Sequence, residues 1–220
     1  MGGAASVCIG DCVVDSKHGL LGDFMVRLDD PNTHRTLNLL SDAITRQGAV
    51  ASAELMHAGL YAYGSRMAGH KVFSPCGGVD AQGNTYDEMA EEDIEHTIEA
   101  YAKAAAWAKA CGFGMVTVHG GHGWLFSQFM SSKVNLRRDK WGGTLENRMR
   151  FPLAVIEAIR KSCGPGFPIE IRISGSEVTP GGYNLDEGIA IAKMLDGHVD
   201  LIHVSAGHHE RREVFTVTHP

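Results

Sequence analysis

The chain has 220 residues, with 20 Lys and Arg against 26 Asp and Glu, a formal net charge of -6, 44% hydrophobic and 21% charged residues. That composition is ordinary for a globular protein, and a mildly acidic balance without a basic face lacks the electrostatic footprint of a nucleic-acid binder. No apolar run approaches the ~18 to 20 residues that cross a bilayer, so a membrane role is not expected and a cytoplasmic location is the default.

In chain order, Met1-Gly2-Gly3-Ala4-Ala5-Ser6 matches the spelling of an N-myristoylation signal. It runs straight into the strand-like Val7-Cys8-Ile9, and a buried strand cannot also present a lipid, so the match reads as chance. Strand-like runs follow at 7–14, 49–56, 115–119, 168–173 and 199–204. Between them lie helical spacings: Ile94, Ile98, Tyr101, Ala105 and Ala108, then Phe151, Val155, Ile156 and Ile159, then Ile189, Ala192, Lys193 and Leu195. Residues 63–87 show little periodicity and read as a long excursion, the kind of loop that forms lids or substrate walls. Five cysteines, an odd number without C-x-x-C, fit reduced thiols better than a disulfide framework or a zinc ribbon.

Alternating strands and helices predict an α/β fold with parallel strands joined by right-handed crossovers. Two architectures compete, a doubly wound sheet and a closed (β/α)8 barrel. Polar residues follow strand after strand: His57, then His119 and His122, Arg172, and His208 with His209. A barrel gathers all such strand ends at one mouth, whereas an open sheet collects them only at its switch point. The barrel is therefore favoured, with about five of the eight units of a TIM barrel present.

The densest motif is Thr117-Val118-His119-Gly120-Gly121-His122-Gly123-Trp124, a strand running into a glycine-rich turn. Two imidazole N–H groups aimed at one oxygen would polarise a carbonyl. The same spacing also suits satisfied loop histidines, or zinc ligands shared with His57 and His209. No carboxylate or cysteine stands at a customary ligand spacing, so no metal is expected. Arg172 lies on an alternating strand whose inner face carries Glu170, Arg172 and Ser174, and a guanidinium there needs an anionic partner. Glu170, Glu54 or an electron-rich cofactor ring would each serve. Residues 64–71 approach a phosphate loop only with His70 inserted, and no G-x-G-x-x-G occurs, so no Rossmann nucleotide domain is expected. Arg137, Arg138, Arg148 and Arg150 surround a Gly-Gly turn, with Thr144 suited to cap a helix, and read as a structural network pinning a loop.

Three segments together carry a resemblance: E-L-M-H-A-G from Glu54, V-H-G-G-H-G-W-L-F-S-Q-F-M-S-S-K-V-N-L-R-R-D-K-W-G-G-T-L-E-N-R-M-R-F from Val118, and E-I-R-I-S from Glu170. The chain resembles the old yellow enzyme family of flavin-dependent ene-reductases. It is most similar to the bacterial branch with 2,4-dienoyl-CoA reductase and the bile-acid-inducible NADH:flavin oxidoreductases. The resemblance implies an FMN across the barrel mouth, reduced by NADH or NADPH and passing hydride to the C=C bond of an enone or enoyl thioester. It implies that His119 and His122 grip the substrate carbonyl, that Arg172 stands beside the flavin, and that Gly10 or Asp11, Glu54 and His57 border the cofactor.

Two departures accompany it. Where many members carry a proton-donating tyrosine, this chain has Trp124, whose indole N–H is no acid near neutrality. His209 is the expected substitute, in a stretch His208-His209-Glu210-Arg211-Arg212 that resembles W-H-E-A-R, with Tyr61 and Tyr63 as lesser candidates. The resemblance also implies a strand before Met1 and two further units after Pro220. Residues 1–220 would then be a partial FMN-binding barrel domain, and an iron–sulfur cluster or FAD would belong only to domains further downstream. The alternatives are a non-catalytic piece completed by a partner chain, or a metal-dependent barrel hydrolase. Composition leaves a homo-oligomer open.

Overall fold

The computed structural model describes residues 3–209. The Glu210-Arg211-Arg212 end of the last motif, and Met1-Gly2, lie outside the described residues.

The elements run β1 (Ser6–Val13), β2 (Val26–Arg27), α1 (His34–Thr45), β3 (Val50–Met56), α2 (Tyr63–Met67), β4 (Phe73–Ser74), β5 (Gly78–Val79), β6 (Thr85–Glu88) and α3 (Glu91–Ala110). They continue with β7 (Met115–Gly120), α4 (Leu125–Met130), α5 (Leu145–Arg148), α6 (Arg150–Cys163), β8 (Ile169–Ser174), α7 (Leu185–Leu195) and β9 (Leu201–Ser205). Six strands form one parallel sheet in the order β2-β1-β3-β7-β8-β9. From β1 onward spatial order follows chain order with no reversal, which is the winding of a barrel and not of a doubly wound sheet. The five expected strands are the five long members of this arc, a partial TIM-type barrel.

Helix α3 shows why the outer layer packs. Ile94, Thr97, Tyr101, Ala104, Ala105 and Ala108 are buried at three- and four-residue spacing. Its first turn is acidic, matching the helix dipole, and Asp93 accepts a hydrogen bond from the Ala90 N–H at 2.9 Å. Helix α6 buries Phe151, Val155, Ile156 and Ile159, and ends where Gly164 adopts φ 87°. Asn184 caps α7 by accepting from Glu187 N at 3.1 Å. In α7, a Cβ at Gly188 would overlap the carbonyl oxygen of Gly175, so glycine is what lets this helix press against the turn after β8.

The excursion at 63–87 is more ordered than its composition predicts. It holds α2 and a small sheet in the order β4-β6-β5. The arginine network is present as expected. Arg137 donates to the carbonyls of Pro75 at 2.9 Å and Met89 at 2.8 Å while chelating Asp139, which ties the excursion to the segment after β7. Arg148 donates to Met130 O, to Gly143 O at 3.3 Å and to Glu187 at 2.8 Å. Thr144 caps α5 as predicted, accepting from Asn147 N at 3.4 Å. Helix α1 was not legible in the sequence, because Leu39 and Leu40 face outward and its buried contacts reduce to Leu37 and Ser41. Among the described residues no helix is long and apolar enough to cross a membrane.

Candidate active site

Register builds the site before any side chain is considered. Glu54 on β3 pairs with Thr117 on β7. Thr117 pairs with Glu170 on β8, and His119 pairs with Arg172. Arg172 in turn pairs with His203 on β9, and Ser174 with Ser205. Because strand side chains alternate, these residues share the inner face in successive rows.

The lower row is a hydrogen-bonded chain ending at Glu170. Thr117 Oγ1 donates to Glu170 at 2.6 Å and accepts from Ser52 Oγ at 2.9 Å, while His203 Nδ1 lies 3.5 Å from the other Glu170 oxygen. Glu170 is thereby occupied, so it is not the partner of Arg172. That place falls to Glu54, whose Oε1 lies 3.9 Å from both Arg172 NH1 and His119 Nε2. At this distance the pairing is electrostatic and lacks a hydrogen bond. Arg172 Nε is buried without a hydrogen-bond partner, a donor that the described residues leave unsatisfied.

Burial pushes Glu54 up to about 7, with the neighbouring Asp11 charge adding to the rise and Arg172 opposing it. Asp11 is also raised by burial, with a hydrogen bond to Glu54 pulling the other way. A carboxyl in this position therefore donates as well as accepts near neutral pH. Gly10 makes the room, since a Cβ there would overlap the Glu54 carboxylate.

His119 and His122 meet edge to face with ring centroids 5.2 Å apart. The turn that brings them together needs left-handed backbone at His122, φ 58°, and Gly123, φ 87°. Burial, reinforced by the other imidazole and the Arg172 and His203 charges, holds His119 well below the ordinary histidine range. Burial and the Arg172 charge bring His122 down to about 4. Both rings are neutral at pH 7. Gly121 N donates to His119 Nδ1 at 3.4 Å, which leaves the ring proton on Nε2, the atom facing Glu54. His122 Nε2 meets Ser205 Oγ at 2.8 Å, and its backbone N donates to Ser174 Oγ at 3.1 Å.

His209 joins through the next loop. Its N–H donates to His122 O at 2.8 Å, and its ring lies 4.7 Å from Tyr61 and 4.9 Å from Trp124 between centroids. Trp124 is 6.2 Å from His119, so one aromatic cluster connects them. His209, Tyr61 and Tyr63 border a cavity of about 600 Å³ whose far wall is the excursion, with Val79 and Tyr86. His57 stands apart. Its buried ring accepts from Gly59 N at 3.1 Å, abuts Gly19, and interacts electrostatically with Asp15, His18 and His96. The imidazoles of His57, His119, His122 and His209 accordingly do not form a ligand cluster among the described residues.

Sequence reasoning missed His203 and Ser205. The signal was the alternation Leu201-Ile202-His203-Val204-Ser205, which places two polar side chains on the inner face beside Arg172 and Ser174.

The residues fit a flavin. The unsatisfied Arg172 Nε and a guanidinium only loosely balanced by Glu54 form a positive patch for an electron-rich ring. Fold and site together define a partial β/α barrel of the flavin oxidoreductase class. The chain belongs to the NADH:flavin oxidoreductase / NADH oxidase family, which matches residues 4–213; FMN and NAD(P)H are the cofactors of that family.

Among relatives, the NADH oxidase of Thermoanaerobacter brockii is 36% identical over 214 residues, covering 95% of this chain and 32% of that protein. A solved 2-naphthoyl-CoA reductase in complex with 2-naphthoyl-CoA superposes with a TM-score of 0.89 at 29% identity, covering 95% of this chain and 34% of that one. The old yellow enzyme from Pichia sp. AKU4542 gives a TM-score of 0.77 at 25% identity, over 86% of this chain and 52% of that one. The chain thus spans about a third of the length of the first two relatives.

Proposed function

We propose that this chain carries the carbonyl-clamping and flavin-facing part of an FMN-dependent enzyme that uses NADH or NADPH to reduce the C=C bond of an α,β-unsaturated carbonyl compound. The observation that carries the reading is the row of neutral His119 in register with Arg172, beside His122 and Glu54. Residues 1–220 are then a partial FMN-binding barrel domain. The free cysteines among the described residues support a reducing, cytoplasmic setting.

FMN, when bound, supplies a two-electron carrier between the nicotinamide and the alkene. Arg172 and Glu54 would hold it, the first by charge, the second by a carboxyl able to donate or accept. Gly10 leaves space beside them. His119 Nε2–H donates to the carbonyl oxygen as negative charge develops there, with His122 oriented by Ser205 as its companion. A neutral imidazole suits this role because it donates without itself losing a proton. His209 delivers the proton to the α-carbon in place of the family tyrosine, from the edge of the 600 Å³ cavity. The likeness to a protein solved with 2-naphthoyl-CoA favours a conjugated thioester among the candidate substrates.

The test is to add FMN to the purified protein, remove the excess and follow the flavin absorption. The expected result is a retained band bleached by NADH and restored by an enone. His119→Ala should then slow the enone half-reaction on the order of 10²-fold while leaving flavin reduction by NADH less affected. Equal losses in both half-reactions would sink the carbonyl-clamp role. A second reading, a piece that becomes competent only with a partner chain, is favoured by the terminal strand β9, exposed on both faces, where Leu201 and Val204 are 50% and 61% exposed. Colourless protein that gains flavin only on addition of a chain carrying further barrel strands would support it.

A further inference from the structure

Past the carboxyl end of β1, where the following loop meets the first turns of α3, a second set of polar side chains converges. Asp15 lies two residues after β1, His18 follows three residues later, and His96 projects from α3. His18 Nδ1 and His96 Nε2 approach the same carboxylate oxygen, Asp15 Oδ2, at 2.9 Å and 3.3 Å. One ligand atom from each of the three residues lies within 4.8 Å of the others. The remaining Asp15 oxygen is taken by the N–H groups of Lys17 at 3.0 Å and His18 at 3.2 Å. These bonds fix the carboxylate and turn its free oxygen toward the imidazoles. The His18 ring is steadied in turn by Phe73, with centroids 5.2 Å apart. The three residues open onto a cleft of about 450 Å³, bordered by Asp29, Glu99 and Trp107, which gives an ion and its water a way in.

We propose that Asp15, His18 and His96 bind a divalent metal ion of the zinc class, with water completing the coordination. Two imidazoles and a monodentate carboxylate are a donor set that such ions favour, and ligand atoms 2.9 Å and 3.3 Å from the Asp15 oxygen and all within 4.8 Å of one another need little rearrangement around bonds of ~2.0 to 2.2 Å. Asp15 Oδ1, held by backbone N–H groups, gives the outer-shell support that metal carboxylates usually require. The ion would clamp the segment after β1 to α3. It stands behind His57, whose carbonyl accepts from Leu125 N at the start of α4, so the clamp braces the backbone next to the His119–Trp124 turn.

The test uses the whole 220-residue protein with zinc chloride alone, read by metal content after dialysis and by calorimetric titration. Cobalt chloride provides a visible d–d spectrum. The expected result is one ion per chain, a raised Tm in the presence of zinc, and affinity lowered more than about tenfold in His96→Ala. His96 is largely exposed, so this variant folds even where Asp15→Asn does not. Glu54→Gln controls for Asp11, Glu54 and His119, the other described cluster able to hold an ion. Binding that survives His96→Ala unchanged, binding lost only in Glu54→Gln, or less than stoichiometric zinc would each overturn the proposal.

Discussion

Glu54 Oε1 stands 3.9 Å from Arg172 NH1, close enough for attraction and too far for a hydrogen bond. The pair is therefore incompletely neutralised, and burial pushes the Glu54 carboxyl up to about 7 from an ordinary 4.5. A raised acid stabilises the folded state below its unfolded pKa, and that contribution is lost as pH rises through the folded value. His57 and His122, both lowered by burial to about 4 from 6.5, have the opposite sign, their contribution disappearing as pH falls through the same window. Thermal denaturation across pH should show these opposing slopes partly cancelling. Glu54→Gln removes the first, so its stability should climb more steeply with pH between about 4.5 and about 7. Parallel curves would show that Glu54 does not titrate there.

His209→Phe keeps an aromatic ring against Tyr61 and Trp124 but removes the transferable proton. The alkene half-reaction should slow by about 10² to 10⁴-fold, with flavin reduction by NADH nearly unchanged in stopped-flow absorbance. Tyr61→Phe should change either step little. If Tyr61→Phe carries the larger loss, the proton donor is the tyrosine.

Arg148 is buried and serves Met130 O, Gly143 O and Glu187 together. Arg148→Leu leaves those acceptors unsatisfied and should cost about 2 to 3 kcal/mol in urea denaturation. Arg150, whose bond to Asn147 is exposed, is the comparison. Arg150→Leu should cost under about 0.5 kcal/mol.

Gly188→Ala places a methyl group against the Gly175 carbonyl, and backbone cannot rotate away as a side chain can. Helix α7 must shift from the sheet, at about 1 to 3 kcal/mol. Gly166→Ala, with open space around the position, should stay near zero in the same assay.

The barrel was legible because parallel strands buried on both faces leave β-branched runs, and because polar residues recur at strand ends. His119, His122, Arg172 and Glu54 were legible from motif and alternation. What alternation could not give was the choice among acids. Glu170 and Glu54 both lie on inner faces, and only register shows that Thr117 and His203 engage Glu170. His57 was grouped with Glu54 by adjacency, yet one step along a strand reverses the direction of a side chain, and its ring lies with Asp15. The Asp15–His18 pair escaped notice because its third member, His96, comes from a helix some 80 residues away in the chain, where spacing carries no signal.

Arg137 fastens the 63–87 excursion through the carbonyl of Pro75 within it and that of Met89 just past its end. The cavity wall thus hangs from main-chain anchors that do not depend on which side chains line it. On the proposed function, mutation could redraw the wall, and with it the choice of molecule admitted, while leaving the inner row of His119, Arg172 and Glu54 untouched. Selectivity and reactivity would then rest on separately anchored parts of the chain.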